Sequence, residues 1–241
     1  MKKQQAAFSL VEMSLVILII SLLLAAVTKG RSLIEEAKMQ AIVAEVSQNK
    51  VAINSFYAKY NKYPGDFDEA ITYWGAGTNA NGDNNGHIEF INASSVYEGY
   101  RAWQHLYYAE MVNSPYAGTQ TTSAAVIDTD VPKSKSGGGF LLDYNQYGLT
   151  NKNVMVLGTP IATTASPILA SGILKPSQAM SVDVKSDDGI PTTGSVRGAD
   201  GNGSVAETCV DDLNTASSSD DIYKISASSK DCIMIFKVAD Q

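Results

Sequence analysis

From Phe8 to Thr28 the chain is apolar or hydroxylic, with Glu12 its only charge. Beyond Lys29 the pattern becomes amphipathic. Leu33, Ile34, Ala37, Ala41, Ala44, Val51, Phe56 and Tyr60 recur at spacings near three and four, and Glu35, Glu36, Lys38, Glu45, Lys50 and Lys59 fill much of the remainder. No proline occurs between Met1 and Tyr63, and Gly30 is the only glycine there. The pattern predicts one helix from about Leu10 to Tyr60, roughly 75 Å long at the helical rise per residue. Two helices hinged at Lys29-Gly30-Arg31 are the alternative, although one glycine costs only about 1 kcal/mol, enough to permit a bend. The run that starts at Phe8 is about 20 residues, long enough to span a bilayer.

After Tyr60 the periodicity shortens. Asn61-Lys62-Tyr63-Pro64-Gly65 stops the helix, because proline cannot continue it and glycine supplies turn freedom. Asp66 and Glu69 stand as a capping box for a short helix, Phe67 to about Trp74. A further helix is predicted over Val96–Val112, with Arg101, His105 and Glu110 facing solvent or paired to head carboxylates. Another runs from Lys175 to about Lys185, with Pro176 in its first turn. Short apolar runs at Phe140–Leu142, Val154–Leu157, Ile168–Ala170, Thr193–Val196, Ile222–Ile225 and Cys232–Val238 read as strands. Ser114–Gly139 is a long loop, of the length that is usually functional or mobile. The fold class expected is α+β: a long N-terminal helix, residues 8–60, packed on a globular head, residues 61–241, that holds an antiparallel sheet.

Charge narrows the function classes. With 18 basic and 25 acidic residues the formal net charge is −7, more negative still once Lys2 and Lys3 are removed. Such a surface repels phosphates, so no nucleic-acid partner is expected. There is no nucleophile–base pair, zinc cluster, P-loop or dinucleotide fingerprint in the sequence, and no enzyme activity is expected. A periplasmic hydrolase on a membrane anchor is the weakest of the classes considered.

The N-terminus holds the sharpest chemistry. Lys2 and Lys3 open a polar leader, residues 1–7, that ends in Ala6-Ala7, with Phe8-Ser9-Leu10-Val11-Glu12 following. A secretory signal places its small-residue cleavage site after the apolar core; here the small residues come first, so cleavage leaves the apolar segment on the mature chain. A carboxylate at membrane depth is costly and usually functional. These residues resemble the N-terminus of type IV prepilin-like proteins, the group of pilins and of type II secretion pseudopilins. Ala7 stands where that family most often has glycine. The resemblance implies cleavage between Ala7 and Phe8 by a prepilin peptidase, N-methylation of Phe8, and assembly into a helical filament through Glu12. The first half of the helix would then pack against other subunits and the second half against the head's sheet. An inner-membrane assembly platform is the implied further partner, and a single-pass protein with its head in the periplasm or on a filament the implied location.

Head motifs extend the likeness to pilin-like proteins of the type II secretion class: Tyr63-Pro64-Gly65-Asp66, Tyr73-Trp74-Gly75, the Asn81–Ile88 loop, Arg101 to Leu106, and Val182 to Pro191. A minor pseudopilin is the first reading and a minor type IV pilin the second. Cys209 and Cys232, the only cysteines, resemble the C-terminal disulfide loop of many pilins and fit an oxidising compartment; two reduced, buried cysteines are the alternative.

Within the head, Asn81, Asp83 and Asn85 place oxygens on alternate residues ahead of Gly86 and Ile88, as in the opening of a calcium loop. A cation here would take Asn81, Asp83, Asn85 and Glu89, with Glu98 as another source of a second carboxylate. The twelfth position is Asn92 rather than glutamate, and an Asn/Gly-rich turn is the equal alternative. Asp183, Asp187 and Asp188 read as a capped helix end and turn ahead of a second cation site. His87 and His105 read as structural.

Overall fold

The computed structural model describes residues 9–75, 81–89, 98–118, 125–144, 149, 151–161, 170–201, 208–211 and 221–238. Helix α1 spans Leu10–Tyr60 and passes through Gly30 without a break. The chain divides into two compact units, Met1–Lys38 and Met39–Gln241.

The first unit is the leading part of α1. Its large apolar residues, Leu10 to Ile34, are all exposed, and the helix is long and apolar enough to cross a membrane. Ser14, Ser21 and Thr28 donate their hydroxyls to the carbonyls of Val11, Leu18 and Ala25 at 2.8, 2.8 and 3.0 Å. Each of these three hydroxyls thereby satisfies itself on its own helix, the back-bonding habit of serine and threonine.

The second unit holds one hydrophobic core that joins Met39, Ile42, Val46, Ile53 and Phe56 of α1 to the sheet residues. The buried face follows a three-and-four repeat from Met39. Val51 (61% exposed) and the exposed Ala44 lie on the opposite side, contrary to the stripe expected from sequence. The larger side chains Ile42, Val46 and Ile53 decide the face, since each removes more apolar area from water than alanine does.

Among the described residues seven strands follow: β1 (Gly139–Tyr144), β2 (Asn153–Pro160), β3 (Ala170–Ser171), β4 (Val196–Asp200), β5 (Val210–Asp211), β6 (Ile222–Tyr223) and β7 (Cys232–Lys237). The main sheet runs β1-β2-β7-β4, antiparallel throughout, with β3 on the end of β2 and β5-β6 a separate pair. Val156 pairs with Leu141 on one side and Ile235 on the other. Both β2 and β7 are buried along nearly their whole length, which explains their near-continuous apolar runs. The architecture is α+β. Ile168 and Leu169, expected to open a strand, lie outside the described residues.

The described residues also hold three shorter helices: α2 (Ala70–Trp74), α3 (Glu98–Tyr108), packed on β1, and α4 (Pro176–Ser186), packed on β4, β6 and β7. α2 starts later than expected. Its N-cap is Glu69, with no side-chain capping bond, because the Asp66 carboxylate is committed elsewhere. α3 also departs from expectation: Arg101 and His105 are buried rather than solvent-facing.

Candidate functional site

At the start of α1 the Ser9 amide donates to Glu12 Oε2 at 2.9 Å, and the Val11 amide donates to Ser9 Oγ at 3.3 Å. Ser9 thus caps the helix through the amide two residues on, and Glu12 reaches back to the cap amide as the glutamate of a Ser-x-x-Glu pattern does. The pattern was present in the sequence, where Glu12 was read only for its charge. A carboxylate in the first turn also meets the positive end of the helix dipole. The Ala7–Phe8 junction lies outside the described residues, one position before this cap.

The second centre is the loop over residues 81–89. Asp66, 1% exposed, accepts the Asn85 amide on Oδ1 (2.8 Å) and the Gly86 amide on Oδ2 (3.0 Å). Glu98, fully buried, accepts the Asp83 amide (3.1 Å) and the Glu89 amide (3.2 Å). Two buried carboxyl groups thus bind the loop at both ends through four backbone amides. Asn153 closes it from the sheet, accepting the Ile88 amide at 2.8 Å and donating to the Gly86 carbonyl at 3.2 Å. Ile88 is fully buried, as its place in the pattern predicts. Gly82 is needed sterically: a Cβ there would lie 2.2 Å from the Asp66 carbonyl carbon. On the far side of Asp66, the Gly65 amide donates to Nδ1 of buried His105 at 2.9 Å. That fixes an imidazole accepting at Nδ1, packed among the rings of Phe56, Phe67 and Trp74.

Ligand oxygens of Asp66, Asp83 and Glu98 lie within 4.8 Å of one another. Burial is the main reason that Asp66 is pushed up to about 7 and Glu98 to about 8; the backbone donors pull the other way, and the neighbouring carboxylates add to the rise. The Arg101 guanidinium is an adjacent cation, donating to the Asn81 carbonyl at 2.9 Å; burial lowers its pKa and Glu98 raises it.

The four residues expected to hold calcium divide. Asp83 joins Asp66 and Glu98. Asn81 Oδ1 accepts the Ile71 amide (2.9 Å), Asn85 Oδ1 accepts the His87 amide (2.8 Å), and Asn85 Nδ2 of the side chain donates to Glu89 Oε2 (3.3 Å). Three carboxylates suit a hard cation, which takes oxygen ligands. Sequence reasoning missed Asp66, read as a helix cap, and gave Glu98 only second place. Both lie outside the loop's own spacing, so a local pattern could not find them.

Asp183, Asp187 and Asp188 also converge, but each has a structural task. Buried Asp183 accepts the Tyr223 hydroxyl at 2.7 Å and the Gly189 amide at 3.3 Å, and burial foremost pushes it up to about 6. Asp187 accepts the amides of Ser195 and Val196, and Asp188 accepts the Ile190 amide and the Thr193 hydroxyl. This is the capped helix end and turn that the sequence suggested. Cys209 and Cys232, separated by 23 in sequence, are joined by a disulfide with Cα atoms 5.0 Å apart.

The family model described as the prokaryotic N-terminal methylation motif matches residues 2–28. The likeness is thus to the N-terminal part of the chain. Among solved structures, the chain is similar to the major type IV pilin PilA1 from Clostridium difficile, at 14% identity and a TM-score of 0.34, covering 86% of this chain and 98% of that one. No curated protein matches the chain. The motif runs into α1, whose leading part is long and apolar enough to cross a membrane.

Proposed function

We propose that the chain is a minor pseudopilin of a type II secretion-like filament. Prepilin peptidase cleaves it after Ala7, Phe8 is methylated, and an inner-membrane assembly platform draws it into the filament with its head in the periplasm. The observation that carries the reading is the methylation motif over residues 2–28 leading directly into a helix whose large apolar residues from Leu10 to Ile34 are all exposed. Bilayer and neighbouring helices are the two surroundings that accept such a surface. The test is a strain lacking the chain, complemented with the parent. Secretion substrates retained in the periplasm, with surface pili intact, are expected. Pili lost with secretion intact would instead make it a minor type IV pilin.

We also propose that calcium binds between Asp66, Asp83 and Glu98, with Asn81, Asn85 and Glu89 shaping the loop around it. What supports this is the convergence of three carboxylates, two of them buried, on a segment with calcium-loop spacing.

A further inference from the structure

A polar groove of about 890 Å³ lies between the end of α1, the turn that follows it and the tip of the 81–89 loop. Its size falls among small-ligand sites, roughly 300–1,000 Å³. Asn54, Tyr57, Asn61, Tyr63 and Asn84 line it, with Asp66 among the lining residues. Asn61 and Asn84 are both held at positive φ, 54° and 59°. Asparagine tolerates that region when its side chain bonds locally, yet among the described residues neither side chain has a hydrogen-bond partner within the chain. The Asn54 amide and the Tyr57 hydroxyl are likewise unengaged. Tyr57, 41% exposed, leans on Tyr63 with ring centroids 4.7 Å apart, so its position is fixed while part of its surface stays open.

We propose that this groove binds a neutral saccharide. Each side-chain amide offers both a donor and an acceptor, which matches adjacent sugar hydroxyls that also do both. A partly exposed tyrosine gives an apolar face for the C–H side of a pyranose and a polar tip for its hydroxyls. Other ligand classes fit less well. The groove's one lysine, Lys62, is paired with Asp68, and the net charge of −7 repels anions. An apolar ligand would find little beyond tyrosine faces and buried Val238.

The test uses the full-length protein in a detergent without a sugar headgroup, titrated calorimetrically with tetrasaccharides of glucose, galactose and N-acetylglucosamine. A heparin-derived tetrasaccharide serves as the anionic comparison. At least one neutral probe should bind with Kd of about 1 mM or tighter. Tyr57→Ala and Asn84→Gly should each weaken it about tenfold or more, a loss of about 1.4 kcal/mol. Because glycine relaxes the positive φ, Asn84→Gly should melt no lower than the parent, which separates lost binding from lost folding. Tyr73→Ala, at an exposed tyrosine outside the groove, should bind like the parent. The proposal is overturned if no neutral probe binds, if only the anionic probe does, or if Tyr57→Ala and Asn84→Gly leave affinity unchanged.

Discussion

Glu12 has one task in the structure and a second expected of it in a filament, and substitution can separate them. Its carboxylate accepts the Ser9 amide; in an assembled filament its charge would instead meet the Phe8 amine of a neighbour. Glutamine also serves in a capping box but carries no charge. If the cap is what matters, Glu12→Gln should incorporate into filaments like the parent. If the charge matters, Glu12→Gln should fail as badly as Glu12→Ala, because a buried amine left unpaired costs several kcal/mol. The expectation is the second outcome, measured by incorporation of membrane-inserted, cleaved protein. Cleavage itself is checked by mass spectrometry of the mature N-terminus, expected at Phe8; an intact leader would refute it.

Among the elements, the disulfide ties the start of β7 to the residue before β5. Closing a loop of this length contributes about 3 kcal/mol in the chain-entropy view. The Cys209→Ser/Cys232→Ser variant should lose that much in denaturant unfolding, and thiol labelling of the oxidised parent should fail at both positions. A double variant as stable as the parent would mean that the β5-β6 pair holds its place without the bridge. Sequence periodicity made α1 legible, with Pro64 and Gly65 marking its end. Strands β1, β2 and β7 were legible because burial on both faces leaves unbroken apolar runs. The start of α2 was not, because the Asp66 carboxylate reaches across to Asn85 and Gly86 rather than to its own helix. The same distance in sequence hid the Asp66, Asp83 and Glu98 grouping. The exposed face of α1 was misjudged where alanines stood in for larger side chains.

At the scale of the whole molecule, stability should depend on pH through Asp66 and Glu98. An unfolded carboxyl loses its proton near pH 4, whereas the folded groups hold theirs to about 7 and about 8. Between those values the native state binds more protons than the unfolded one, so stability falls as pH rises through the window and levels off above it. In chelator the protein should melt lower at about pH 8.5 than at about pH 5.5. Calcium favours the ionised carboxylates and competes with protons, so millimolar calcium should raise melting at the higher pH and leave the lower nearly unchanged. No calcium shift at either pH would leave the loop as a plain turn.

Strand β7 sits between β2 and β4 and is the last of the described strands. When a growing chain has already delivered β2 and β4, neither has its central neighbour, and two apolar edges stand open. The main sheet can therefore close only late in synthesis, once β7 has emerged. Until then exposed strand edges invite pairing with other chains. A chaperone that shields unpaired strands during this interval would act on the timing of folding, with no effect on the finished head.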